Sequence, residues 1–151
     1  MSRVQLALNV DDLDAAIAFY GRLFGTEPAK VRPGYANFAV ADPPLKLILF
    51  ENRGHRGTLN HLGVEVETTE EVTAAQRRLN REGLATLPED DVACCYARQD
   101  KVWVDDPDGA PWEVYAVLED VEMSPGQLRT VEPTDALCCA SAPESAARCC
   151  S

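Results

Sequence analysis

A chain of 151 residues with 46% hydrophobic content has enough apolar material for one domain with a substantial core, or for two small fused modules. Its formal net charge of -11 and pI near 4.5 argue against nucleic acid or anionic membrane as a partner, since both need a basic footprint. No apolar run approaches the ~20 residues of a spanning helix, and Met1-Ser2-Arg3-Val4-Gln5-Leu6 lacks a signal-peptide core, so a cytoplasmic protein with reduced thiols is expected.

In chain order, residues 3 to 10 alternate with period two: Val4, Leu6, Leu8 and Val10 share one face, and Gln5, Ala7 and Asn9 share the other. Asp11 or Asp12 caps a helix whose stripe is Leu13, Ile17, Tyr20 and Phe24, and Gly25 stops it. Strands are predicted at Ala29 to Arg32, Tyr35 to Val40 and Leu45 to Phe50, parted by Pro33-Gly34 and Asp42-Pro43-Pro44. His55, in the polar link after them, reads as a solvated loop histidine.

At Thr58 the pattern starts again. Leu59 to Val66 alternates with His61, Gly63 and Glu65 on one face, so His61 takes the slot of Gln5 at an offset of 56. Thr68 and Glu71 are spaced as a capping box, Val72, Ala75 and Leu79 form the buried stripe, and Gly83 ends the helix. Extended segments are then expected at Ala85 to Leu87, around Val92 to Ala97 and at Lys101 to Asp105. The turn Asp106-Pro107-Asp108-Gly109 next feeds a strand carrying Glu113. The expected fold is therefore α+β, two fused βαβββ modules (3–57 and 58–118) forming a cup-shaped mixed sheet. Residues 119–151, poor in aromatics and rich in Ala, Ser, Glu and Pro, form a flexible cysteine-containing tail.

If the more apolar strand faces pack on the helices, the opposite faces bring Gln5, His61 and Glu113 to one concavity. A neutral imidazole, a carboxylate and an amide oxygen suit Fe(II), Zn(II), Mn(II) or Ni(II) with coordination positions left open. All six cysteines stand in adjacent pairs, Cys94-Cys95, Cys138-Cys139 and Cys149-Cys150, where random placement gives roughly 0.2 such pairs, so the pairing is a selected feature. Neighbouring thiols on extended chain diverge, but where the chain bends they grip one soft atom together. Four tail cysteines make a poor zinc knot, because each pair lacks the usual spacer.

The doubled pattern, with Gln5, His61 and the Asp-Pro-Asp-Gly turn before Glu113, resembles the vicinal oxygen chelate superfamily of glyoxalase I and the extradiol dioxygenases, over about residues 3 to 118. In such a fold the first-module counterpart of Glu113 is expected near Lys46 or Leu47, which leaves three protein ligands. With Cys94-Cys95 added, the chain is similar to the carbon–arsenic bond lyases of that superfamily, whose relatives include cadmium-induced proteins. That resemblance implies an Fe(II)- and O2-dependent lyase acting on trivalent organoarsenicals. His61 and Glu113 would be catalytic ligands, Gln5 the third ligand, and Cys94 and Cys95 the arsenic holders, with Cys138, Cys139, Cys149 and Cys150 capturing arsenical. Ni, Co, Mn or Zn are other occupants of the same site, and a homodimer is left open. The alternatives are a thiol-based cadmium or arsenite binder on the same scaffold, and a ring-cleaving or glyoxalase-like metalloenzyme.

Overall fold

The computed structural model describes residues 2–122. Ten elements run in the order β1(Arg3–Val10), α1(Leu13–Phe24), β2(Lys30–Arg32), β3(Tyr35–Val40), β4(Leu45–Glu51), β5(Leu59–Val66), α2(Thr69–Arg81), β6(Leu87–Cys94), β7(Ala97–Asp105) and β8(Pro111–Asp120). This is the expected α+β pattern, βαβββ twice over. Both helices start where capping chemistry places them. Asp12 accepts from the Ala15 backbone N–H, and Thr68 and Glu71 form a reciprocal box.

The eight strands make one curled sheet in the order β2-β3-β4-β1-β5-β8-β7-β6, a half-barrel whose seam is the antiparallel pair β1 and β5. On its convex side α1 covers Ala36, Phe38, Leu47 and Leu49, and α2 covers Val102 and Ala116. Full burial of side chains such as Phe38 and Leu49 contributes about 1.5–3 kcal/mol each. The concave side is left to Gln5, His61 and Glu113 and to their neighbours. No helix among the described residues is long and apolar enough to cross a membrane.

The second module departs from expectation between its helix and its last strand. In place of three short segments there is one long hairpin, β6 and β7, and Ala85-Thr86 lie outside it. Pro88 and the acidic run Glu89-Asp90-Asp91 have the composition of a loop, yet they sit in an edge strand. A bulge there is closed by the Asp91 N–H donating to Asp100, and edge strands tolerate both proline and charge. β8 runs to Asp120, two residues into the stretch expected to be tail. Cys138, Cys139, Cys149 and Cys150 lie outside the described residues.

Candidate active site

Strand register brings three donors together. Gln5 on β1 faces Gly63 on β5, and Gly63 lies beside Glu113 on β8, with His61 two residues back on the same face. Gln5, His61 and Glu113 are all buried. Gln5 Nε2 lies 3.0 Å from His61 Nε2 and 2.6 Å from Glu113 Oε1, and His61 Nε2 lies 3.3 Å from Glu113 Oε1. Gly63 makes room for this cluster: a Cβ there would meet Glu113 Cγ at 3.0 Å and Gln5 Nε2 at 3.3 Å. His55, as expected, is an exposed loop residue.

The surroundings set the protonation of each donor. His61 Nδ1 lies 2.7 Å from Asn60 Oδ1, and the Asn60 amide in turn donates to Asn9 Oδ1. Asn60 is therefore the acceptor, the imidazole proton sits on Nδ1, and Nε2 offers a lone pair. Glu113 Oε2 accepts from the buried Lys101 ammonium at 2.8 Å. Burial would raise the Glu113 carboxyl, but the Lys101 ammonium outweighs it and holds it well below the ordinary carboxylate range. Burial likewise works against the Lys101 ammonium, and Glu113 more than compensates, leaving it above the ordinary lysine range. Sequence reasoning misses Lys101, although it is a lone cation on the same face as Trp103 within an otherwise apolar stretch.

Pseudosymmetry corrects one expectation. Gly63 matches Ala7 across the offset of 56, Gly63 pairs with Glu113 and Ala7 pairs with Ile48, so the counterpart of Glu113 is Ile48 rather than Lys46 or Leu47. The fourth ligand position is thus apolar. Among the described residues no group of three or more His, Cys, Asp and Glu side chains gathers, so a metal site here needs the amide of Gln5. The donor set fits one. Ligands bonded to a common ion at about 2.0–2.2 Å lie about 3 Å apart, which is the spacing of these three. The Gln5 NH2 group, donating to two acceptors that face each other, stands where a cation belongs.

The thiols approach from the far edge of the sheet. Cys95 (φ 57) and Tyr96 (φ 60) form the two-residue turn between β6 and β7, with both in the left-handed region that Asn-Gly ordinarily fills. Thus Cys94 ends a strand and Cys95 opens a tight turn, the bend that brings neighbouring thiols together. The turn sets the two Sγ atoms 3.0 Å apart. Tyr96 anchors this tip on the first module: its hydroxyl donates to Pro33 O, its carbonyl accepts from Lys30 and its ring lies 5.3 Å from that of Tyr35. A hydrogen bond from the Cys95 thiol, helped by Lys101 and opposed by burial, lowers Cys94 to about 7, whereas Cys95 is pushed well up. Cys95 opens on a cavity of about 300 Å³ lined also by Tyr35, Asn37, Lys46, Ile48 and Glu65.

Comparison with known proteins gives this fold a family. The family model described as Glyoxalase/Bleomycin resistance protein/Dioxygenase superfamily matches residues 3–114. A trivalent organoarsenical cleaving enzyme of Thermomonospora curvata is 59% identical over 140 residues, 92% of this chain and 89% of its own. The cadmium-induced protein CadI of Mycobacterium tuberculosis is also 59% identical, over 142 residues, 92% of this chain and 93% of its own. Among solved structures, the Mn(II)-bound glyoxalase from Novosphingobium aromaticivorans superposes with a TM-score of 0.57 at 21% identity, covering 82% of this chain and 43% of that one. An extradiol ring-cleaving dioxygenase from B. fuscum gives 0.57 at 23%, covering 80% and 34%. At those identities the structural likeness speaks for the fold.

Proposed function

This chain belongs to the glyoxalase/bleomycin resistance protein/dioxygenase superfamily, and from that premise we propose that it is an Fe(II)- and O2-dependent lyase cleaving the carbon–arsenic bond of trivalent organoarsenicals. The observation that carries the reading is the thiol pair, two Sγ atoms turned together at 3.0 Å, with Cys94 within electrostatic reach of Glu113 and His61. Its support from relatives is the name borne by the Thermomonospora protein.

Each part of the chain has work to do in this mechanism. The Cys94 thiolate displaces one hydroxide from arsenic, which takes a proton from solvent, and the Cys95 thiol displaces the second, its own proton leaving with it, so that two waters are released. Arsenic, doubly tethered, would hold its organic group on the concave face of the sheet, and tethering makes the cleavage step effectively intramolecular. Gln5, His61 and Glu113 would hold the iron, which supplies the binding and activation of dioxygen. Asn60 keeps the His61 proton on Nδ1, and Lys101 occupies Glu113 Oε2 so that Oε1 faces the cluster. Because Lys101 already balances Glu113, a divalent ion held by these residues would keep a net positive charge. For methylarsenite the atoms balance without outside reductant: CH3As(OH)2 and O2 give As(OH)3 and formaldehyde.

Methylarsenite supplied with Fe(II)-loaded protein and air should yield arsenite and formaldehyde in equal amounts. Yield should vanish under argon and in Cys95→Ser. Stoichiometric uptake of methylarsenite without arsenite would favour the second reading, a thiol buffer, which the cadmium-induced relatives support.

A further inference from the structure

Tyr115, on β8 and two residues beyond Glu113, is fully buried, and its hydroxyl touches two acceptors. Gln5 Oε1 lies 2.5 Å away and Glu65 Oε2 lies 2.8 Å away. A phenol has one proton. Glu65 receives Arg3 on one oxygen and Lys46 on the other, so it is a carboxylate and accepts only. With the Gln5 amide oxygen toward Tyr115, one of these two short contacts therefore sets lone pair against lone pair. In a buried network an unmade hydrogen bond of this kind is costly.

Rotating the Gln5 amide end for end removes the conflict at Tyr115. The hydroxyl then donates to Glu65 and accepts from Gln5 Nε2. The same rotation turns Gln5 Oε1 toward His61 Nε2 and Glu113 Oε1, and with the imidazole proton on Nδ1 these are three acceptors about 3 Å apart that a cation reconciles. One proton count thus governs both ends of the amide. Without a cation the NH2 group serves His61 and Glu113, and the strain lies at Tyr115. With a cation the strain is gone from both ends.

We propose that Tyr115 and Glu65 are positioning residues for the metal site, fixing the Gln5 side chain with its oxygen, rather than its nitrogen, toward the ion. The inference rests on the metal reading above and is independent of what is cleaved. It assigns Glu65 a purpose at a distance: from the cavity wall, held by Arg3 and Lys46, it dictates which way a hydroxyl proton points and so which atom Gln5 presents.

The test measures Mn(II) affinity of the full chain in the absence of arsenical, by loss of the free-ion electron paramagnetic resonance signal. Tyr115→Phe should weaken binding about 10–100-fold, as loss of an outer-shell partner does. In a Gln5→Glu background, where either end of the side chain presents an oxygen, the same change should cost less than about threefold, because orientation no longer matters. Glu65→Met, which removes the acceptor fixing the Tyr115 proton, should also weaken binding, and it serves where Tyr115→Phe melts early. Equal losses in the parent and Gln5→Glu backgrounds would mean a general structural role and overturn the proposal, as would unchanged affinity in both single variants. Failure of the unaltered protein to bind Mn(II) would overturn the metal reading with it. Failure to cleave methylarsenite with this affinity pattern intact would count against the lyase alone.

Discussion

Laid over each other through the offset of 56, the two halves of the sheet place Gln5 on His61, Ile48 on Glu113, Phe50 on Tyr115 and Tyr35 on Lys101. The frame is the same and the filling opposite. Where the first half packs Tyr35 against Phe50, ring centroids 5.7 Å apart, the second half buries an ion pair. The hairpins differ as well. β3 starts at Tyr35, whereas β7 starts at Ala97, four residues ahead of Lys101, and this extra length carries Cys94, Cys95 and Tyr96 across the cup onto the first half. A duplicated fold has thus divided its labour: the second half holds the charge and the thiols, and the first supplies an amide and an apolar wall. On the proposed reading the wall matters because a position without a ligand would leave a bound ion open to substrate or oxygen.

Removing the imidazole should break this division most severely. His61→Ala is expected to abolish divalent-ion binding and turnover together, since two weak donors remain; full Mn(II) occupancy in that variant would sink the site. Next in size is the ion pair. Lys101→Met leaves Glu113 buried without its cation, and we expect the metal-free protein to lose about 3–5 kcal/mol, read as a fall in melting temperature. Mn(II) should restore much of that loss by taking over the role of the ammonium. If the metal-free variant melts like the parent, the pair is not what keeps Glu113 charged.

Much of the comparison is legible in the sequence because it rests on period and offset. Alternation in Arg3 to Val10 and Leu59 to Val66, two capped helices and the offset between Gln5 and His61 are local signals, and the structure follows them. The rest is set by pairing between strands. Ile48 becomes the counterpart of Glu113 only through register, since loops of unequal length break a constant offset. Lys101 and Tyr115 acquire meaning from neighbours on other strands. β6 escapes a sequence reading because a bulge at Asp91 and an acidic edge look like loop in one dimension. The Cys95-Tyr96 turn carries neither Gly nor Asn, so no turn chemistry advertises it.

Ile48→Glu would undo the asymmetry directly, giving both halves a carboxylate. Two unit charges about 4 Å apart attract by about 4 kcal/mol at an effective dielectric near 20, and after desolvation of the new carboxylate a rise in Mn(II) affinity of about tenfold is expected. Turnover of methylarsenite should fall at the same time, because the added ligand closes an open position. Tighter binding with undiminished turnover would show that the open position at Ile48 is not the one used.

The smallest effect expected is one of pH, and it separates the long hairpin from the short one. On the proposed reading, capture of trivalent arsenic begins with a thiolate, and Cys94, held at about 7 by the Cys95 hydrogen bond and by Lys101 against burial, is the group placed to supply it. The sign comes from the direction of that shift: a lowered value means thiolate persists down to about pH 7 and is lost below it. With a midpoint near 7, the thiolate fraction rises roughly fivefold from about pH 6 to pH 7 and less than about twofold beyond. The rate of methylarsenite uptake, measured by loss of free thiol under stopped flow, should trace that curve. In Lys101→Met the midpoint should move upward, because the nearby positive charge that favours the thiolate is gone while burial still opposes it. An uptake curve centred at about 8.5, the value of an ordinary thiol, would leave the bent turn as a geometric device only, with no part in activating the sulfur it presents.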